Sequence, residues 1–304
     1  MILCCGEALI DMLPRQSAQG EEAFAPHAGG AVFNTALALG RLGAAPQFLC
    51  GMSSDFLGDI LRERLAESGV DARPSPRLAA PCTLAFVRLI DGQASYAFYD
   101  ENSALRSLRA EDIPEVTANA LFFGGISLVG DGCGQVYEDL MLAQAETRVT
   151  MIDPNIRPGF ITDKTAYRAR IERMLAAADI VKLSDEDLTW LRGAGDLATQ
   201  ARALLSTRTR LVCITEGARG VTGHTEAGSV LVPAPKAQVV DTVGAGDTFN
   251  AGLLAGLDAA GSLTKPALAA LDEETLRAAL DLGARAAAVT VARAGANPPK
   301  RAEL

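Results

Sequence analysis

A chain of 304 residues is long enough to bury a large core, as one big α/β domain or two ordinary ones. Its residues are 49% hydrophobic but only 5% aromatic, so Ala, Leu, Val and Ile must fill the interior, as in layered α/β proteins. A formal net charge of −9 with no basic stripe to offset it argues against a nucleic-acid partner. An acidic protein of this kind that binds phosphate must use backbone N–H groups and a few local cations.

In chain order, Ile2–Cys5 reads as a strand, followed by Asp11–Pro26, then a helix over Asn34–Leu42 and a strand over Gln47–Gly51. A helix is expected over Asp55–Ser68. Thr83–Asp91 and Ser95–Tyr99 then read as two strands joined by a turn containing Gly92. Alternation resumes with strands at Leu121–Gly124, Thr150–Ile152, Ile180–Leu183 and Leu211–Thr215. Helices are expected between them at Gln135–Ala145, Thr165–Ala177, Asp185–Leu191 and Leu197–Leu205. A strand is expected to end at Val239–Val240, ahead of long Ala/Leu helices at Asp247–Ala260 and Glu273–Val291. The acidic run Asp272–Glu274 suits the positive end of the second helix dipole. The polar tail Pro298–Leu304 is expected to fray. Short strands alternating with helices predict βαβ units on a parallel sheet, and the inserted hairpin, with Asp11–Pro26, a small β lid.

The N-terminal MILCCGEALIDML lacks the basic n-region and cleavage site of a signal peptide, and no apolar run reaches the roughly 18 residues of a membrane span. The six cysteines (Cys4, Cys5, Cys50, Cys82, Cys133, Cys213) show neither CxxC pairs nor metal-ligand spacing. They read as reduced buried thiols, which points to the cytoplasm and away from a membrane.

Several chemistries are excluded. There is no GxxxxGK[ST], and the nearest thing to a dinucleotide fingerprint, GDGCG at Gly130–Gly134, has the wrong spacing. His27 and His224 are the only histidines, too few for HExxH zinc chemistry or a His-based triad, and no GxSxG is present.

What remains is DTVGAGDTFNAG, Asp241 to Gly252. Gly244, Ala245 and Gly246 let the backbone turn sharply into a helix, so that consecutive N–H groups face one concavity and form an anion site. A carboxylate there would repel phosphate, unless Asp247 is a base that takes a proton from an attacking hydroxyl while the N–H groups hold the developing charge. The alternative makes Asp247 a plain helix cap and the glycines a plain turn. A second constellation is HAGGAVFNTALALGRLGA, His27 to Ala44, in which Gly29–Gly30 reads either as a helix entry or as a close approach to a ligand, with the Asn34 amide available to hydroxyls. Asp11 is expected at the C-terminal end of the first strand, the edge at which open α/β sheets bind ligands, although alone it reads as a surface acid.

GGAVFNTALALGRLGA and DTVGAGDTFNAG together resemble the two signature motifs of ribokinase-like (PfkB) carbohydrate kinases, in the right order and at the right separation, and the likeness covers essentially the whole chain. The family fold is a doubly wound α/β/α sandwich with a small β-sheet lid. The resemblance therefore implies one kinase domain over residues 1–304, with a lid from about residues 11–26 and 81–103. GEALIDMLP, PCTLAFVRLIDGQASYAFYDENSA, DPNIRP and ADIVKLSDEDLTWLRG are most similar to fructokinases.

On that resemblance Asp11, Gly29, Gly30 and Asn34 would bind the sugar and Phe98 would cover it from the lid, while Asn155 and Arg157 would lie near sugar and transferred phosphate. An arginine suits that place because its guanidinium clamps phosphate oxygens. Lys182 and Ser184 would approach the phosphates of ATP, and Thr215, Gly217 and Gly220 of the TEGARG loop its ribose and phosphates, with Gly244 and Gly246 beneath them. Asp187 stands where relatives carry a longer Glu and would act on Mg2+ through water, with Glu186 as its competitor. Ala284 replaces the Asn or His often found beside adenine, and Leu105 an Asp of the lid region. Asp241 and Gly295 would border a site for a monovalent cation such as K+. The implied reaction is transfer of the γ-phosphoryl group to a primary sugar hydroxyl, most simply O6 of fructose. A 2-keto-3-deoxygluconate, ribose or nucleoside kinase, a non-catalytic sugar sensor and a dinucleotide-dependent oxidoreductase are the rivals. A free lid edge would pair across a homodimer.

Overall fold

The computed structural model describes residues 1–90 and 93–304; the turn expected at Asp91 and Gly92 lies outside the described residues. The first strand, β1 (Ile2–Cys5), is buried throughout, as a strand covered on both faces must be. The chain then leaves the main sheet for β2 (Leu9–Gln16) and β3 (Glu22–Gly29), and returns through α1 (Ala31–Arg41) to β4 (Gln47–Leu49). After the short β5 (Met52–Ser53) comes α2 (Phe56–Glu67), capped by the Asp55 carboxylate on the Gly58 N–H. β6 (Arg77–Leu78) pairs with β5, and β7 (Leu84–Ile90) with β8 (Gln93–Tyr99) forms the expected hairpin.

The second half alternates as expected: β9 (Ala120–Gly124), α3 (Cys133–Gln144), β10 (Val149–Asp153), α4 (Lys164–Ala177), β11 (Ile180–Ser184), α5 (Asp185–Arg192), α6 (Leu197–Arg202) and β12 (Leu211–Thr215). An antiparallel pair, β13 (Val221–Thr225) and β14 (Gly228–Val232), precedes α7 (Ala245–Ala259), α8 (Lys265–Ala269) and α9 (Glu273–Val291).

The main sheet runs β14-β13-β12-β11-β10-β9-β1-β4, with every pair from β12 to β4 parallel. Strand order reverses between β1 and β9, the place where a doubly wound α/β/α sheet opens a crevice beyond its carboxyl ends. A separate four-stranded sheet, β3-β2-β7-β8, carries the two insertions. Helix α7 packs between α1 and α9, and the contact between α1 and α7 joins the two glycine-rich motifs.

Three expectations are corrected. Asp11 is not at the end of β1: the GEALIDML run divides at Gly6, whose N–H bonds the Leu49 carbonyl, and Asp11 falls inside β2 of the second sheet. No strand ends at Val239–Val240; both side chains are exposed, and the Val240 and Asp241 N–H groups bond the Val291 carbonyl instead. The valines suit a strand, but the sheet already ends at β14. The C-terminal tail is held down rather than frayed: Arg41 donates to the Pro298 carbonyl, Arg285 to that of Leu304, and Arg293 pairs with Glu303.

At the edge of the sheet away from the crevice, the buried Asp179 carboxylate accepts from the Thr150 N–H and hydroxyl and from Lys265 Nζ at 2.7 Å. Lys265→Met keeps most of the stem and removes the charge. It is expected to lower stability in urea unfolding by about 1–3 kcal/mol, less than for a fully buried pair because Lys265 is partly exposed, with turnover unchanged.

Candidate active site

The glycine turn opens α7. Gly244 is the helix N-cap at φ +78°, and a Cβ there would meet the Ala296 Cβ at 2.7 Å, so this position admits no side chain. No side chain caps the helix. The Gly246 and Asp247 N–H groups lie in the first turn, where no carbonyl four residues back is available, and with the dipole they make an anion-binding end. Asp247 is therefore not the cap but the third residue of the helix.

Its carboxylate is buried and accepts a 2.9 Å bond from Asn34 Nδ2 of α1, while the Thr35 hydroxyl donates to its backbone carbonyl. Burial pushes the Asp247 pKa up to about 7; the Asn34 bond and Lys182 pull it down, and Asp153 and Glu7 push it further up. A carboxyl poised near neutrality suits a general base.

Lys182, in the middle of β11, is buried beneath the turn: a Cβ on Gly246 would lie 3.3 Å from its Nζ. Nζ pairs with Asp153 Oδ2 at 2.9 Å, and Asn250 Nδ2 of α7 reaches the same oxygen at 2.7 Å. Burial alone would lower the lysine pKa, but Asp153 and then Asp187 more than offset it and hold the pKa above its ordinary value. The ammonium thus stays charged behind the anion-binding end.

Beyond β10, Asn155 adopts φ +45° and Arg157 is exposed, donating only to the adjacent Ile156 carbonyl and in no ion pair among the described residues. Phe160 packs against Phe98 of the second sheet, ring centroids 4.4 Å apart. Ser184 and Asp187 form a capping box on α5: the Asp187 N–H donates to Ser184 Oγ and the Ser184 N–H to Asp187 Oδ2. Asp187 Oδ1 accepts from the Ile156 N–H, so this carboxylate also anchors the segment that carries Arg157. Burial raises its pKa, and Asp153 adds to the effect. Glu186 points to solvent.

In the second sheet Asp11 Oδ2 lies 2.3 Å from where a Cβ on Gly29 would sit, so Gly29 is what lets the carboxylate in. Burial pushes the Asp11 pKa up to about 6. Gly30 holds φ +115° as the N-cap of α1. Leu105 is core, and polar bonding at the root of this sheet comes from Arg106, whose Nε donates to Asp100 Oδ2 at 2.6 Å.

A cavity of about 710 Å³ lies between the glycine turn, the loop after β12 and α9. Thr215, Gly217, Gly220, Gly246, Phe249 and Ala284 are among its lining; Lys182 and Ser184 are not. The expected nucleotide residues thus separate into a mostly apolar chamber and a buried polar group behind the turn. Asp241 Oδ2 accepts from the Gly295 N–H at 2.9 Å and its Oδ1 from Val243, tying the loops on either side of the turn. Among the described residues no three acidic, Cys or His side chains form a metal-binding cluster.

Sequence reasoning missed Glu7, Asp153 and Asn250. Asp153 carries one usable signal, a carboxylate ending a buried strand at the crevice edge. Asn250 lies three residues beyond the proposed base on the same helix, which puts it on the same face.

Residues 1–303 match the model of the pfkB family carbohydrate kinases. The chain is 53% identical over 279 residues to a fructokinase of Rhizobium leguminosarum bv. trifolii, covering 91% of this chain and 86% of that one. A crystal structure of fructokinase with bound ATP from Xylella fastidiosa superposes with a TM-score of 0.89 at 34% identity, over 97% of this chain and 93% of that one. Fructokinase from Vibrio cholerae O395 in its fructose, ADP and calcium bound form gives 0.84 at 25% identity, covering 97% and 94%. With the two motifs facing each other across α1 and α7 and the family match running from end to end, the chain belongs to the pfkB family of carbohydrate kinases.

Proposed function

We propose that the protein transfers the γ-phosphoryl group of ATP to the 6-hydroxyl of fructose, giving fructose 6-phosphate and ADP. The observation that carries this reading is Asp247: a buried carboxylate with a pKa near 7, bonded to Asn34 and set one residue beyond the glycine of an anion-binding helix end. The names of the relatives supply the sugar.

Asp247 accepts the proton of O6 as that oxygen attacks the γ-phosphorus in line with the departing ADP oxygen. The Gly246 and Asp247 N–H groups and the Arg157 guanidinium take up the charge of the moving phosphoryl group. Asp11 and Asn34 bind sugar hydroxyls, with Gly29 and Gly30 leaving room for them. Phe98 covers the ring, and the second sheet, as a lid over the sugar, excludes water as a competing acceptor. Base and ribose fill the 710 Å³ cavity against Ala284 and the Thr215–Gly220 loop. Six free, buried cysteines support a cytoplasmic setting.

Magnesium fits this oxygen-only donor set. Each Asp187 oxygen accepts one backbone N–H and keeps a lone pair for a metal-bound water. When bound with the nucleotide, the ion neutralises phosphate charge. Asp241, with one N–H on each oxygen, has the same spare capacity toward a monovalent cation beside Gly295.

A coupled ADP-release assay over a sugar panel is expected to give the highest kcat/KM with fructose, to lose activity in EDTA and to regain it with Mg2+. Equal rates without sugar would sink the reading, a preference for ribose or 2-keto-3-deoxygluconate would move it within the family, and a rate unchanged between KCl and choline chloride would remove the monovalent cation. Asp247→Asn should retain fructose binding by calorimetry while kcat falls roughly 10²–10⁴-fold. Because the base must be ionised, wild-type kcat/KM should rise with pH through about 7 and level above it.

A homodimer through the lid is the assembly we infer. On the outer face of the second sheet Phe24 and Tyr99, 46% and 63% exposed, each stack edge-on against Phe86, an apolar patch that a second copy would cover. Sedimentation should show a dimer in the wild type and a monomer in Phe24→Asp/Tyr99→Asp; a wild-type monomer at micromolar concentration would rule it out.

A further inference from the structure

Glu7 stands in the crevice between β1 and β9 and has no part in the reaction as described above. It is 1% exposed, and among the described residues its charge is met by backbone N–H groups, with no cation beside it. Its partners are all backbone: Oε1 accepts from the Ala31 N–H at 2.7 Å and from Val32 at 3.4 Å, and Oε2 accepts from the Ser127 N–H at 3.2 Å. Ala31 and Val32 are the first two residues of α1, a helix whose own N-cap, Gly30, offers no side chain. A carboxylate from another part of the chain therefore does the capping, where the dipole favours negative charge.

The surroundings are shaped to admit it. A Cβ on Gly125 would lie 2.1 Å from Glu7 Oε1, and one on Gly30 2.8 Å from the Glu7 carbonyl oxygen. Four residues along α1 from Gly30, Asn34 makes its bond to Asp247, and Thr35 holds the backbone of the same residue. A chain of bonds thus runs from Glu7 to the start of α1, along one turn of helix, to the base.

We propose that Glu7 is a positioning residue for phosphoryl transfer: capping α1 from outside, it fixes the helix where Asn34 meets Asp247, and it adds a negative charge to the surroundings of that base. The proposal rests on Asp247 as the base. The groups acting on Asp247 from the elements around it are Asn34 on α1, Asp153 on β10, Lys182 on β11 and Glu7 itself. Cys50, Cys133 and Tyr137 are near enough to feel the Glu7 charge. Burial outweighs the backbone N–H bonds, which lower it, and holds the Glu7 pKa above its ordinary value. Of the groups raising Asp247, Glu7 follows burial and Asp153, so its loss should make Asp247 the weaker base.

The test is the pH profile of Glu7→Gln. The amide keeps the size and one acceptor but loses the charge, and its NH2 opposes a backbone N–H. Expected are a fall in kcat of about tenfold or more and a shift of the acid limb of kcat/KM to lower pH by a few tenths of a unit, in a protein whose circular dichroism matches the wild type. A purely structural role would lower the melting temperature and leave the limb in place. Glu7→Asp keeps the charge but is too short to span Ala31 and Ser127, so kcat should fall while the limb stays; it carries the test if Glu7→Gln does not fold. Wild-type kcat in either folded variant, or an unmoved limb in Glu7→Gln, overturns the proposal. Failure of the underlying reading shows separately, as near-normal turnover of Asp247→Asn.

Discussion

The hydrogen bond from Asn34 to Asp247 joins the two halves of this molecule's chemistry. It crosses from α1, which follows directly on β3 of the second sheet, to α7, whose first turn borders the 710 Å³ cavity. Neither residue can shift without carrying its motif along. Two sequence motifs more than two hundred residues apart become one site because their helices pack side by side and share this buried contact. A carboxylate with a full solvent shell would not need such a partner. One that has lost its water does, since a buried polar group without a bond is costly.

Charge is the second constraint. Asp247, Asp153, Asp187 and Glu7 are all buried where the proposed reading brings a polyanionic substrate, and among the described residues Lys182 is the buried cation that acts on the first three. The chain deals with this by giving each carboxylate a different set of donors. Asp153 takes Lys182 and Asn250, Asp187 takes two backbone N–H groups, Glu7 takes helix and turn N–H groups, and Asp247 is left with a single neutral amide. The least compensated of the four, Asp247, has a pKa pushed up to about 7. Its basicity comes first from burial, with only the Asn34 bond and Lys182 to pull it back.

Much of this was legible in the sequence where local pattern and chemistry coincide. The glycines of DTVGAGDTFNAG announce a turn at a helix start, and β1, β12 and α9 fall where periodicity puts them. Asp11 was misread because GEALIDML looks like one continuous apolar run, and only the packing of Gly6 against Leu49 divides it between two sheets. The β13–β14 pair was missed because its glycine, histidine and threonines dilute any alternation. Glu7, Asp153 and Asn250 carry no local signature: each matters for a partner far away in the chain, and a single sequence does not display such pairings.

The contact of Phe98 with Phe160 ties β8 of the second sheet to a loop three residues past Arg157. A strand and a loop that lean on each other through two rings share their disorder as well as their order. On the proposed reading, any displacement of that strand would also displace the loop that follows Arg157, so the cover and the phosphate clamp would form or fail together. Thrift with ATP would then be a property of one aromatic pair, requiring no residue that recognises water as the wrong acceptor.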